Sequence, residues 1–166
     1  MKNLYIIRHS KAVEHASDGS DFSRCLAEPG IKKANIIAQY LARDLEQVDL
    51  ILSSPACRAL ETARIFATAL KYEHSEIETD YSLYHFGGIE RAQDLIASVN
   101  DEIDTLILFG HNPTFSSLAW SLCREFQDGM PTSAVAGVAL DIKSWADIYT
   151  SRGKLLCFLT KSNLAY

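Results

Sequence analysis

A chain of 166 residues, 48% of them hydrophobic and 22% charged, is long enough to bury one ordinary core and too short to suggest a second, so a single domain is expected over residues 1–166. Its 16 Lys and Arg stand against 21 Asp and Glu, and a net charge of -5 argues against a surface built to hold nucleic acid. No apolar stretch approaches the roughly 20 residues of a membrane span, and Arg8 cuts the run Leu4 to Ile7 too short for a signal core, so a cytoplasmic protein with no membrane partner is expected.

The first predicted strand is Leu4 to Ile7, followed by a helix whose apolar face is Ala34, Ile37, Ala38, Leu41 and Leu45. Leu50 to Leu52 is the second strand, and Leu60, Ala63, Phe66, Ala67 and Leu70 mark the second helix. A third strand falls near Ile77 to Thr79, then a helix on Ala92, Leu95, Ile96 and Val99. The strand Leu106 to Phe109 precedes a helix on Phe115, Leu118, Ala119, Leu122 and Phe126, and Val135 to Ile142 and Leu155 to Thr160 close the chain as strands. Alternating strands and helices imply an α/β domain with a largely parallel sheet, and two late strands without a helix between them imply one antiparallel pairing. The least regular stretches, residues 11–30, 80–88 and 127–134, are expected to be loops framing a site. Cys25, Cys57, Cys123 and Cys157 show no C-x-x-C or zinc-like spacing, which predicts reduced thiols and no disulfide frame.

In an open α/β sheet, ligands sit beyond the carboxyl ends of the strands. The first strand ends in Arg8-His9-Ser10, the second in Ser-Ser-Pro-Ala-Cys-Arg with Arg58, and the fourth in Phe-Gly-His-Asn-Pro with His111. Ser54-Pro55 and Asn112-Pro113 each read as an N-cap followed by proline at the first helical position, and helix N-termini offer N–H groups to an anion. Arg58 in the first turn of its helix presents a planar fork suited to phosphate oxygens. One histidine after one strand is usually structural, as His15 and His74 are taken to be. Two histidines and two arginines at three equivalent ends point instead to a shared phosphoryl guest. Other phosphoryl chemistries do not fit. The sixth residue after each cysteine is Ile31, Ala63, Gly129 or Asn163, so no Cys-x5-Arg loop exists, and there is no P-loop string. Asp-Gly-Ser-Asp at 18–21 reads as a polar turn rather than a metal loop.

These motifs resemble those of the histidine phosphatase superfamily, which includes the phosphoglycerate mutases. Arg8-His9 resembles its R-H-G signature, residues 53–63 resemble its S-S-P-x-x-R-A-x-x-T-A segment, and Gly110 to Pro113 its second histidine motif. Small size, the segment at 21–30 and the segment at 132–148 are most similar to SixA-type phosphohistidine phosphatases. The resemblance implies a three-layer α/β sandwich with a six-stranded, mixed, mostly parallel sheet flanked by helices. It also implies His9 as phosphorylated nucleophile, with Arg8, Arg58 and His111 as catalytic phosphate ligands. Ser10 stands where relatives carry glycine or alanine, and would add a hydroxyl to the phosphate pocket. Cys25 and Ala27 stand where proline and threonine are common.

The general acid of the mutase branch lies in the loop after the third strand, and that of the acid phosphatases follows the second histidine. Here those places read Leu83-Tyr84-His85 and Asn112. His85 is the one candidate proton donor. Lack of an acid suits a leaving group that carries its own proton, so the function expected is a metal-independent, cofactor-free phosphatase acting on phosphohistidine of a signalling protein. Such a chain would be a monomer meeting a phosphohistidine-bearing domain. A small-molecule phosphomonoesterase acting on a small phosphate ester, or a phosphate-binding pseudoenzyme, are the alternatives.

Overall fold

The computed structural model describes residues 1–84 and 87–164. Its six strands are β1 (Lys2–Arg8), β2 (Leu50–Ser53), β3 (Glu78–Thr79), β4 (Thr105–Gly110), β5 (Val135–Leu140) and β6 (Gly153–Leu159). They form one sheet in the order β3-β2-β4-β1-β5-β6. The pairs β1 with β4, β2 with β4 and β2 with β3 are parallel, whereas β5 is antiparallel to both β1 and β6. The sheet is therefore mixed and mostly parallel, with β5 alone running against the rest.

Helices α1 (Glu28–Leu41) and α2 (Cys57–Leu70) cover one face, and α3 (Gly88–Ala97) and α4 (Thr114–Leu122) the other. The pleat sorts the strand residues between them. Leu4 and Ile6 of β1 and Leu106 and Leu108 of β4 pack with Ala92, Ile96, Phe115 and Leu118. Tyr5, Ile7, Ile107 and Phe109 pack with Ile37, Ala38, Ala63 and Phe66. Both faces are buried, which is why the central strands read as continuous apolar runs and not as alternating patterns. Each Leu or Ile so buried contributes about 1.5–3 kcal/mol. A short 3-10 segment, Trp145–Tyr149, closes the second face, with Trp145 Nε1 donating to the Ile103 carbonyl at 2.8 Å.

The strand ends carry the functional consequence. Arg8 lies opposite Gly110 in the β1–β4 register, and Ser53 lies opposite Phe109 in the β2–β4 register. The residues that follow each strand therefore emerge side by side. Helix α2 begins at Cys57, two residues later than Ser54-Pro55 suggests, because the chain turns out of the sheet first; Ser54 Oγ accepts the Ala56 N–H at 3.2 Å within that turn. Helix α4 begins at Thr114, one residue later than Asn112-Pro113 suggests, so Asn112 stands one position before the cap and accepts the Ser116 N–H at 3.1 Å. Gly30 lets α1 approach the end of β1, since a Cβ there would collide with the Lys11 carbonyl oxygen.

Cys25 and Cys57 are joined in a disulfide, with Cα atoms 4.8 Å apart, while Cys123 and Cys157 are free. The expectation of four reduced thiols is corrected: 32 residues separate the pair in sequence, and only the return of the 11–27 loop against the first turn of α2 brings them together. Thiol usage thus lends no support to a cytoplasmic location. Among the described residues, no helix is long and apolar enough to cross a membrane.

Candidate active site

Arg8, His9, Arg58 and His111 converge at the carboxyl ends of β1, β2 and β4, as the strand-end comparison predicts. The His9 and His111 rings lie with centroids 5.0 Å apart. His9 Nδ1 is 2.7 Å from the Ser10 carbonyl oxygen. A carbonyl only accepts, so the proton of the neutral ring sits on Nδ1 and Nε2 presents its lone pair. Burial pushes the His9 pKa down to about 4; the Ser10 carbonyl works against this, and the charges of Arg58, Arg8 and Arg24 add to it. The imidazole is thus neutral at physiological pH, the form in which a ring nitrogen can act as a nucleophile.

His111 is held by Ser54, whose Oγ lies 2.8 Å from Nε2. That hydroxyl is buried and, among the described residues, has no other acceptor for its proton, so it donates to Nε2 and the His111 proton lies on Nδ1. Burial first, then the neighbouring His9 and Arg58, push the His111 pKa down to about 3. Arg8 donates from Nη1 to the Met130 carbonyl at 2.9 Å. Arg8 Nε and His111 Nδ1 are both buried without a hydrogen-bond partner among the described residues. Buried polar atoms left unpaired cost about 1–3 kcal/mol each, and two such groups beside a neutral histidine suit an oxyanion that would accept from both.

Arg58 is 7% exposed and doubly anchored, with Nη1 on the Asp21 carbonyl oxygen and Nη2 on the Asp21 carboxylate, both at 2.9 Å. Asp21 also accepts from Arg24 Nη1 at 2.8 Å and from the Tyr84 hydroxyl at 3.1 Å. Burial tends to raise the Asp21 pKa, but the bonds from Arg24 and Arg58, the Arg58 charge and the Tyr84 hydroxyl outweigh it and bring the value down to about 2. Asp21, Arg24 and Tyr84 are therefore site residues that sequence reasoning missed. Asp-Gly-Ser-Asp does contain the polar turn, since Asp18 accepts from the Ser20 amide and hydroxyl, but its last residue reaches across to α2.

Ser10 departs from expectation. It is fully buried, its hydroxyl donates to the Gly30 carbonyl at 2.7 Å and accepts from Ser133, and its amide donates to Thr62 Oγ1 at 3.0 Å. The hydroxyl ties α1 to the end of β1 and does not reach the pocket surface. Asn112 is engaged at both ends, with Oδ1 accepting from Ser116 and Nδ2 donating to the Met130 carbonyl at 3.0 Å, so it sets the loop that Arg8 grips. His85 lies outside the described residues.

A cavity of ≈ 490 Å³ opens over Arg58 and His111, rimmed by Asp21, Leu83, Tyr84, Asn112 and Pro113. A second, of ≈ 580 Å³, lies at the other end of β2 near Asp49, Leu50 and Asn100 and is lined by neither arginine nor histidine. Among the described residues, the only cluster of three potential metal ligands is Cys25, Cys57 and Glu61, and its two sulfurs are bonded to each other.

Fold and pocket together define an α/β enzyme of phosphate chemistry, with cationic and imidazole side chains gathered at the carboxyl edge of a mostly parallel sheet. The chain belongs to the histidine phosphatase superfamily (branch 1), whose family model matches residues 4–124. It is 28% identical over 140 residues to the phosphohistidine phosphatase SixA of Escherichia coli, covering 83% of this chain and 85% of that protein. The SixA crystal structure from Agrobacterium tumefaciens superposes with a TM-score of 0.80 at 30% identity, covering 96% of this chain and 97% of that one. A protein histidine phosphatase SixA complexed with tungstate superposes with a TM-score of 0.82 at 25% identity, covering 98% and 99%. The protein is a SixA-like phosphatase of this superfamily.

Proposed function

We propose that the enzyme removes the phosphoryl group from phosphohistidine on a partner protein, with His9 as the nucleophile. The observation that carries this reading is the Nδ1 bond to the Ser10 carbonyl, which keeps the Nε2 lone pair available beside Arg8, Arg58 and His111. In the first step Nε2 bonds to phosphorus as the bond to the leaving nitrogen breaks. The leaving imidazole already carries a proton on its other nitrogen and departs neutral. Negative charge on the three equatorial oxygens is received by Arg8, Arg58 and His111 Nδ1–H. Water then attacks the phosphorylated His9, giving dihydrogen phosphate and the neutral ring. No step is routed through a metal.

The choice of phosphohistidine rests on the proton supply. Asp21 is held ionised, Asn112 is a carboxamide, and the Tyr84 hydroxyl commits its proton to the Asp21 carboxylate, so none of the three offers a proton to a leaving group. An alkoxide leaving group needs such an acid, whose contribution is typically about 10²–10⁴-fold. Tungstate bound to a SixA relative is consistent with an oxyanion in this pocket.

The test is rapid mixing with a phosphohistidine protein, followed by comparison with 3-phosphoglycerate and a sugar phosphate. An acid-labile phosphoryl group should be trapped on His9, and His9→Ala should lose both label and turnover. Alkyl phosphates should lag by about 10²–10⁴-fold. Label on His111, or a sugar phosphate cleaved as fast as phosphohistidine, would overturn the reading.

A further inference from the structure

The leaving-group side of the pocket has a construction of its own. Tyr84 follows Leu83, which is 5% exposed and anchored in the core. Its hydroxyl donates to the Asp21 carboxylate, the same group that grips Arg58. Its ring stands edge-on to His111, with centroids 5.6 Å apart and planes at 71°, and edge-on to Phe22 at 5.3 Å and 81°. Phe22 in turn stacks on Tyr81 at 6.0 Å. An aromatic ring is thus fixed at the cavity rim between the two phosphate ligands Arg58 and His111.

The rest of the rim is equally informative. Leu83, Tyr84 and Pro113 are apolar or aromatic, while Ser82, Asn112 and Thr114 are uncharged. Among the described residues, the only charged lining side chains are Arg58 and Asp21, and they pair with each other. Among those residues, a substrate with a second anionic group finds no further cation. A flat ring finds an aromatic partner, and offset or edge-to-face ring contacts are favourable beyond their area alone.

We infer that Tyr84, backed by Phe22 and tied to Asp21, is a specificity-determining residue that receives a planar, ring-bearing leaving group. The inference rests on the proposed phosphatase reading and sharpens it: the imidazole of phosphohistidine is recognised as a ring, and not only tolerated as a good leaving group.

Four substrates separate these effects. Phosphoimidazole and phosphoramidate share a P–N bond, but only the first has a ring. 4-Nitrophenyl phosphate and acetyl phosphate both release stable anions, but only the first has a ring. Tyr84→Leu should lower kcat/KM about three- to tenfold more on the two ring substrates than on the other two, the scale of one aromatic contact. Tyr84→Phe should restore most of the ring preference, and Phe22→Leu should lower it in the same direction as Tyr84→Leu. Equal losses on all four substrates would overturn the inference, because Tyr84 would then act only through Asp21 and Arg58. Unchanged rates on all four would overturn it as well. Wild-type enzyme that cleaves none of the four would overturn the phosphatase reading itself, and this inference with it.

Discussion

Asp21 holds Arg58 through both terminal nitrogens of the guanidinium, one on its backbone carbonyl and one on its carboxylate, each at 2.9 Å. A residue in the 11–27 loop thereby fixes the orientation of a cation on α2. The pairing sets the direction of the Arg58 fork, and preorganised donors of this kind are worth far more than flexible ones.

Arg58→Ala should therefore lower turnover by about 10²–10³-fold, the usual cost of losing one preorganised donor to a developing anion. Asp21→Ala should act in the same direction and less severely, about tenfold, because the cation remains but its fork is no longer aimed. The Asp21 side chain is half exposed and can hydrate once Arg58 is gone, and in Asp21→Ala the buried guanidinium keeps its bond to the backbone carbonyl of residue 21, so both variants should fold. Steady-state kinetics with phosphohistidine or 4-nitrophenyl phosphate decides the matter. An Asp21→Ala enzyme with wild-type kcat/KM would show that the pairing does not position Arg58.

The two histidines make a pH prediction with a definite sign. Their folded pKa values, about 4 for His9 and about 3 for His111, lie below the ordinary 6.5. As pH falls through 6.5 the unfolded chain takes up these protons first, so the stability they contribute is complete above that value and drains away until about pH 4 for His9 and about pH 3 for His111. Urea unfolding at pH 7, 5.5 and 4.5 should show a falling midpoint, and imidazole resonances of His9 and His111 should not shift until well below pH 5. A His9 resonance titrating near 6.5 would contradict a neutral, buried His9.

The disulfide makes a countable prediction. Thiol titration of the protein unfolded without reductant should find Cys123 and Cys157 alone, and all four cysteines after reduction. Closing a loop of this length typically stabilises by about 2–4 kcal/mol, so Cys25→Ser with Cys57→Ser should melt at a lower temperature. Four reactive thiols without reduction would refute the bridge.

Much of the architecture was legible because it depends on local periodicity. Runs such as Leu106 to Phe109 carry no polar residue because helices cover both faces, and each of the four helices shows one apolar stripe. Element boundaries moved by a few residues at most: β1 extends to Lys2 and Arg8, whose polar side chains conceal the strand ends. Arg8, His9, Arg58 and His111 could be picked out because a ligand at the carboxyl edge of such a sheet must be met by whatever follows each strand.

Contacts made across the chain were decided by the tertiary structure alone. The same short polar residue type served as a turn former at Asp18 and as the clamp on Arg58 at Asp21, and nothing within three residues distinguishes the two. Ser10, next to His9 in sequence, faces Gly30 and Ser133, because successive residues leaving a strand point in different directions. Cys25 meets Cys57, and Tyr84 meets Asp21, only after the loops have folded back over the strand ends. Periodicity and strand ends are properties of neighbouring residues and can be read along the chain. Which loop lies against which helix is set by sheet register and packing, and no local pattern encodes it.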